Sequence, residues 1–115
     1  MRPNFAIELL PDAVSFMDSV DEKAREKIYF NMRKAQHILD NEIFKKISDT
    51  IWEFRTLHKG QAYRLFAFWD KTAGHNTLVV ATHGIIKKNQ RTPLKEIKRA
   101  DSIRKLFLEN KLNKN

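Results

Sequence analysis

The sequence predicts an α+β domain: a small antiparallel twisted sheet with the N-terminal helices packed on one face, in the order β-α-α-β-β-β-α. Three observations lead there. Apolar residues recur at helical spacing over Ala24, Ile28, Met32, Ala35 and Leu39. From residue 51 that rhythm gives way to runs of aromatic and β-branched residues divided by short turn sequences. The 115 residues, 42% hydrophobic and 31% charged, are the size of one domain, read here as spanning 1–115. A chain of this size buries roughly two-thirds of its unfolded surface and needs no staples.

Each element has its own signal. Residues 4–10 read as a short strand, which Pro11 stops while opening a helical turn. Ala13, Val14, Met17 and Val20 then follow at near-helical spacing. Ser19-Val20-Asp21-Glu22 fits a capping box, with Ser19 as the cap and Glu22 as its reciprocal partner, ahead of the long stripe from Ala24. Asp40-Asn41 ends that helix, and Ile43, Phe44 and Ile47 suggest a short apolar turn or helix. Residues 51–58 and 63–69 are strand-like and flank Lys59-Gly60, a hairpin turn in which Gly60 can take φ > 0. Residues 70–76 form the next turn and 77–83 the next strand, giving an antiparallel meander. Gly84 marks a bulge or a close approach. Thr92 is placed as an N-cap with Pro93 at the first helical position. Leu94, Ile97, Ala100, Ile103 and Phe107 form the apolar face of the last helix, and residues 110–115 a frayed polar tail. The helices are expected to cover one face of the sheet.

Composition excludes several classes of function. The chain has no Cys, so disulfides, thiolate zinc sites and cysteine nucleophiles drop out. Its four His are scattered and no tight carboxylate cluster accompanies them, so neither a metal nor another cofactor is expected. There is no Gly-rich phosphate loop. No apolar run approaches the roughly 20 residues of a membrane span, and Met1-Arg2-Pro3-Asn4 lacks the apolar core of a secretion signal. A cytoplasmic protein without a membrane partner is expected. Charge is more telling. Residues 1–50 carry 8 Lys/Arg against 9 Asp/Glu, and residues 51–115 carry 14 against 5, so the whole excess of +8 lies in the second half. A polyanionic partner is the first suspect.

The basic half contains a candidate site. With a two-residue turn at Lys59-Gly60, Arg55 and Arg64 stand opposite each other on one sheet face. Like charges so placed are unfavourable unless an anion or a carboxylate lies between them. Glu53, two residues from Arg55, shares that face. Two readings stand side by side: an ion pair on a solvated face, or a phosphate-binding cluster that exploits the planar fork of arginine. The exit from the last strand, His83 to Arg91, adds Lys87 and Lys88 as cations and His83 as a group able to move a proton near neutral pH. His58 is a second such candidate. Lys59 in the hairpin turn, Arg91 before the last helix, and Lys95, Lys98 and Arg99 on its outer face are candidate nucleic-acid contacts. Trp52, Phe54 and Phe66 could stack bases, but residues of this kind in strands are more often core.

Three runs, Ile51-Trp52-Glu53-Phe54-Arg55, Tyr63-Arg64-Leu65-Phe66-Ala67-Phe68, and residues 83–100 with His83-Gly84-Ile85-Ile86-Lys87-Lys88 and Thr92-Pro93-Leu94-Lys95-Glu96-Ile97, resemble the phage-derived, HigB-like branch of the RelE/ParE toxin superfamily. Ile85 stands where an aromatic is common in that branch, and Asn89 where Thr is common. The resemblance implies a RelE-like fold and the toxin half of a type II toxin–antitoxin pair. It further implies a metal-independent, ribosome-dependent mRNA endonuclease that inhibits translation. For such an enzyme Arg55, Arg64, Lys87 and Lys88 are expected to bind the phosphate and the transition state, with His83 as the proton-transfer group of the catalytic site. The expected partners are the ribosome, mRNA and a cognate antitoxin, often a helix-turn-helix protein. A ParE-like toxin that inhibits gyrase and a non-catalytic nucleic-acid-binding module are the alternatives.

Overall fold

The structure, a computed structural model, describes residues 2–72, 77–87 and 91–113. Its elements are β1 (Ala6–Leu9), α1 (Pro11–Ser19), α2 (Glu22–His37), β2 (Phe44–Lys46), β3 (Trp52–His58), β4 (Gln61–Asp70), β5 (Leu78–Lys87) and α3 (Leu94–Leu112). They form the expected α+β fold around a five-stranded sheet of order β1-β5-β4-β3-β2. The β3–β4–β5 meander is antiparallel as expected. β1 departs from that pattern and runs parallel to β5.

Other expectations need correction. Residues 44–46 are a strand, not a turn or helix. Phe44 stacks on Phe54 with ring centroids 4.3 Å apart, and pairing with β3 outweighs the weak local signal. α2 is capped by Asp21, whose side chain accepts the Ala24 N–H at 3.3 Å, while Ser19 turns back to donate to the Phe16 carbonyl. The α2 stripe is buried at Ala24, Ile28, Met32 and Ala35 but stops there, and Leu39 beyond the helix is 90% exposed. α3 continues to Leu112 rather than fraying from residue 110, and Lys111 near its end pairs with the buried Asp70. Residues 73–76 of the second turn and 114–115 of the tail lie outside the described residues.

The helices occupy both faces of the sheet. α1 and α2 cover Phe54, Leu65, Ala67, Val79 and Ala81. α3 covers Phe66, Phe68 and Val80 on the other side, through Ile97, Ala100, Phe107 and Leu108. β4 is therefore buried continuously from Tyr63 to Phe68, as a strand covered on both faces must be.

Two backbone features set up the site. Lys59 and Gly60 both have positive φ, 50° and 78°, the geometry of a two-residue turn whose twist matches its strands. It fixes His58 opposite Gln61 and Arg55 opposite Arg64. The second feature is a bulge in β5. Phe66 pairs with His83 but Ala67 pairs with Ala81, leaving Thr82 as the extra residue. The bulge inverts the phase of β5, so His83, Ile85 and Lys87 fall on the α3 face with Arg64.

Gly84 is the close approach rather than the bulge. A Cβ there would meet the Phe16 ring at 2.3 Å. Gly84→Ala is expected to displace that ring and destabilise the fold by about 1–3 kcal/mol. A urea midpoint shift checks this. The loss should shrink when Phe16→Leu is added, because the obstructing ring is then gone.

Candidate functional site

Among the described residues, Arg55, Arg64, Lys87 and the Glu53 carboxylate gather on the face of the sheet near the start of α3. Glu53 is 2% exposed and Arg64 6%. One Glu53 oxygen, Oε2, lies 3.5 Å from Nε of Arg55 and 3.4 Å from Nε of Arg64. The like-charged pair therefore has its carboxylate, contributed by the same strand as Arg55. Neither Nε donates a hydrogen bond of good geometry to a described residue, although both atoms are buried. Buried guanidinium donors in that condition are uncommon.

The other Glu53 oxygen is held from α3's side of the fold. The Thr92 hydroxyl donates to Glu53 Oε1 at 3.0 Å and accepts from Lys87 Nζ at 3.4 Å. This corrects its expected role. α3 starts one residue later than the cap reading requires, with Pro93 at the N-cap and no side-chain cap. The buried carboxylate takes the hydroxyl that a cap would have used, so Thr92 ties the approach to α3 onto the cationic cluster.

Electrostatics follow from this crowding. Burial lowers the Arg64 pKa below its ordinary value, Glu53 opposes that, and Arg55 adds to it. Burial also lowers the Lys87 pKa, reinforced by Arg64 and Arg55 and opposed by Glu53. Glu53 is thus the local counter-charge for three neighbouring cations. Among the described residues named here the positive charges outnumber the carboxylate, an arrangement suited to an anion.

Residues 15–105, from the middle of α1 into α3, match the family described as "Phage derived protein Gp49-like (DUF891)". The chain belongs to the Gp49-like family. No curated protein matches it. The Gp49-like family is a RelE/ParE-like toxin family, which agrees at that level with the resemblance carried by the strand motifs. The matched span contains the whole Glu53–Arg55–Arg64–Lys87–Thr92 cluster of this Gp49-like chain.

His83 shares the face and, like Glu53, Arg64 and Lys87, is buried. It is 1% exposed and stacks on Phe66 with ring centroids 4.8 Å apart. Its Nε2 meets Glu96 Oε1 at 3.1 Å and its Nδ1 meets Thr82 Oγ1 at 3.0 Å. The partners fit a neutral ring whose Nε2–H donates to the carboxylate and whose Nδ1 accepts from the hydroxyl. Burial lowers its pKa, against the Glu96 hydrogen bond, and Arg99 lowers it further. A histidine kept neutral in the fold stabilises it fully above the unfolded-state pKa of about 6.5, and that contribution is lost as pH falls toward the lower folded-state value. Urea midpoints should therefore drop between about pH 7 and pH 5 in the parent. His83→Gln should flatten that slope, and an unchanged slope would reject the assignment.

The remaining candidates of the Gp49-like chain are dispersed. His58 faces the α2 side, 4.0 Å from Asp21. Lys59 is exposed in the hairpin turn, and Arg91, Lys95 and Lys98 are exposed before and along α3. Arg99 is exposed and engages Asp12 at 3.1 Å. Lys88 lies outside the described residues. Among the described residues no group of His, Asp or Glu could hold a metal ion, and no helix is long and apolar enough to cross a membrane. Thr92 had no sequence signal beyond its place before a proline, which pointed to capping instead.

Proposed function

We propose that this Gp49-like protein is the toxin of a type II toxin–antitoxin pair, and that it cleaves mRNA on the ribosome at the Arg55–Arg64–Lys87 cluster without a metal. The observation that carries this reading is the arginine pair, Arg64 buried and Arg55 half-buried with both Nε atoms out of solvent, crowded by Lys87 and facing the Glu53 carboxylate. The 2′-hydroxyl attacks the adjacent phosphate, giving up its proton to solvent, while the bond to the 5′-oxygen breaks and that oxygen takes a proton from solvent; the 2′,3′-cyclic phosphate forms through a phosphorane-like transition state that carries negative charge. Preorganised cations in a water-poor site stabilise that charge without reorganisation. Arg55 and Arg64 serve as the phosphate clamp, and Lys87, held by Thr92, is the third charge.

His83 has both ring nitrogens engaged within the fold. Our reading gives it a positioning role: it joins Phe66 in the sheet to Glu96 at the start of α3. The exposed cations Lys59, Arg91, Lys95, Lys98 and Arg99 supply long-range attraction to rRNA and mRNA. A cognate antitoxin, of helix-turn-helix type, silences the toxin by covering or distorting this face. Within the RelE/ParE superfamily we assign the toxin to the HigB-like branch, on the strand and His83–Lys88 motifs of the sequence.

Inducing the protein and mapping mRNA 5′ ends tests the reading. Codon-phased cuts are the expected result. Gyrase-dependent DNA damage with intact mRNA would instead identify a ParE-like inhibitor. Nucleic-acid binding with neither effect would identify a non-catalytic module.

A further inference from the structure

We propose a second ligand site, away from the arginine cluster: a slot for one nucleotide, base and phosphate together, at the end of the sheet where β2 finishes and β3 begins. It does not depend on the cleavage reading. A cavity of about 370 Å³ opens there, within the range of small-molecule pockets. Its walls include both tryptophans of the chain, Trp52 and Trp69, and the cations Lys46, Lys71 and Arg104 against the single carboxylate of Asp49.

The walls are built and held. Lys46 stands beside Trp52 in the β2–β3 register. Trp52 pairs across from Ala67, which puts Trp69, two residues further along β4, on the same face. The two indoles meet edge to face, 6.2 Å apart at 84°. Phe44 backs Trp52 at 4.8 Å and Phe5 backs Trp69 at 5.0 Å, so both rings are fixed yet only half-buried. α3 closes the far wall with Arg104, whose Nε donates to Asp101 at 2.9 Å. The Thr50 hydroxyl donates to the same carboxylate oxygen at 2.9 Å. Burial raises the Asp101 pKa, but the hydrogen bonds from Arg104 and Thr50 outweigh it and hold the carboxyl below its ordinary value. Arg104 is thereby oriented, and among the described residues its terminal nitrogens have no hydrogen-bond partner.

Fixed aromatic surface next to several cations matches a base and its phosphate. Base–aromatic stacking tolerates any base, and the cations take the phosphate. An acidic peptide would use the lysines but has nothing flat to lay against the indoles. A nucleotide could reach the slot as free monophosphate or as one unit of single-stranded RNA.

Because the only tryptophans line the cavity, their fluorescence reports its occupancy. The probes are uridine 5′-monophosphate, a short oligouridylate, inorganic phosphate and poly-glutamate. Saturable quenching by a nucleotide probe but not by phosphate or poly-glutamate is expected. Lys46 and Lys71 are exposed, so Lys46→Glu with Lys71→Glu should leave the fold intact and weaken binding at least about tenfold. The salt slope should fall by about 0.7 for each phosphate that the protein no longer neutralises. Arg55→Ala should keep the quench, since that residue belongs to the other site. Comparable affinity for monophosphate and oligomer assigns the free nucleotide; clearly tighter oligomer binding assigns an RNA strand. The proposal is overturned if no nucleotide quenches, if poly-glutamate quenches equally, or if the quench survives the double lysine reversal.

Discussion

Arg64→Ala is expected to lower cleavage of programmed ribosomes by roughly a hundredfold and to abolish growth arrest. Losing one preorganised charge at a transition state costs about 3 kcal/mol, which is that factor in rate. Arg64 suits this role because the residue is only 6% exposed and stands beside Arg55 and Lys87. Its removal leaves Glu53 with Arg55 and Thr92 still in place, so the fold should persist. Arg64→Lys should recover only part of the rate, since a point charge cannot reproduce a planar fork. Circular dichroism establishes that each variant is folded before rates are compared. A folded Arg55→Ala, Arg64→Ala double variant cutting at the parental rate would move the catalytic surface elsewhere.

The arginine pairing was legible in the sequence because it depends on a local cause. A two-residue turn sets the register of the strands it joins, and that register places Arg55 opposite Arg64. The helical stripe of α2 was legible for the same reason, since periodicity along one element reports its buried face. What escaped was non-local. β2 exists because Phe44 finds Phe54, and α3 lies on the opposite face from α1 and α2 because β4 is apolar on both sides. The bulge at Thr82 has no glycine to announce it, yet it decides that Lys87 joins the arginines. Thr92 carried a valid capping signal that a buried carboxylate overrode. The sequence could place Glu53 on the right face, but only the burial shows that it neutralises a cluster instead of decorating a wet surface.

That burial leads to the expectation for Glu53→Gln. The substitution keeps shape and hydrogen-bonding capacity but removes the counter-charge, leaving Arg55, Arg64 and Lys87 mutually repelling in a poorly solvated place. Removing one partner of a buried ion pair typically costs about 3–5 kcal/mol, because the surviving charge is left uncompensated. The variant should therefore melt well below the parent in phosphate-free, low-salt buffer. It should also bind anions more tightly, since the cluster gains one unit of positive charge. Inorganic phosphate should then raise its melting temperature more than the parent's; a ligand at 100 times its Kd adds about 2.7 kcal/mol to the folded state. Cleavage should fall even when phosphate or substrate restores the fold, because the guanidinium groups have lost the carboxylate that orients them. Thr92→Val is the milder companion, removing one hydrogen bond to Glu53 for about 1 kcal/mol and leaving the charges of the cluster unchanged. If Glu53→Gln matches the parent in melting temperature without phosphate and gains nothing when phosphate is added, Glu53 is not the counter-ion of this cluster.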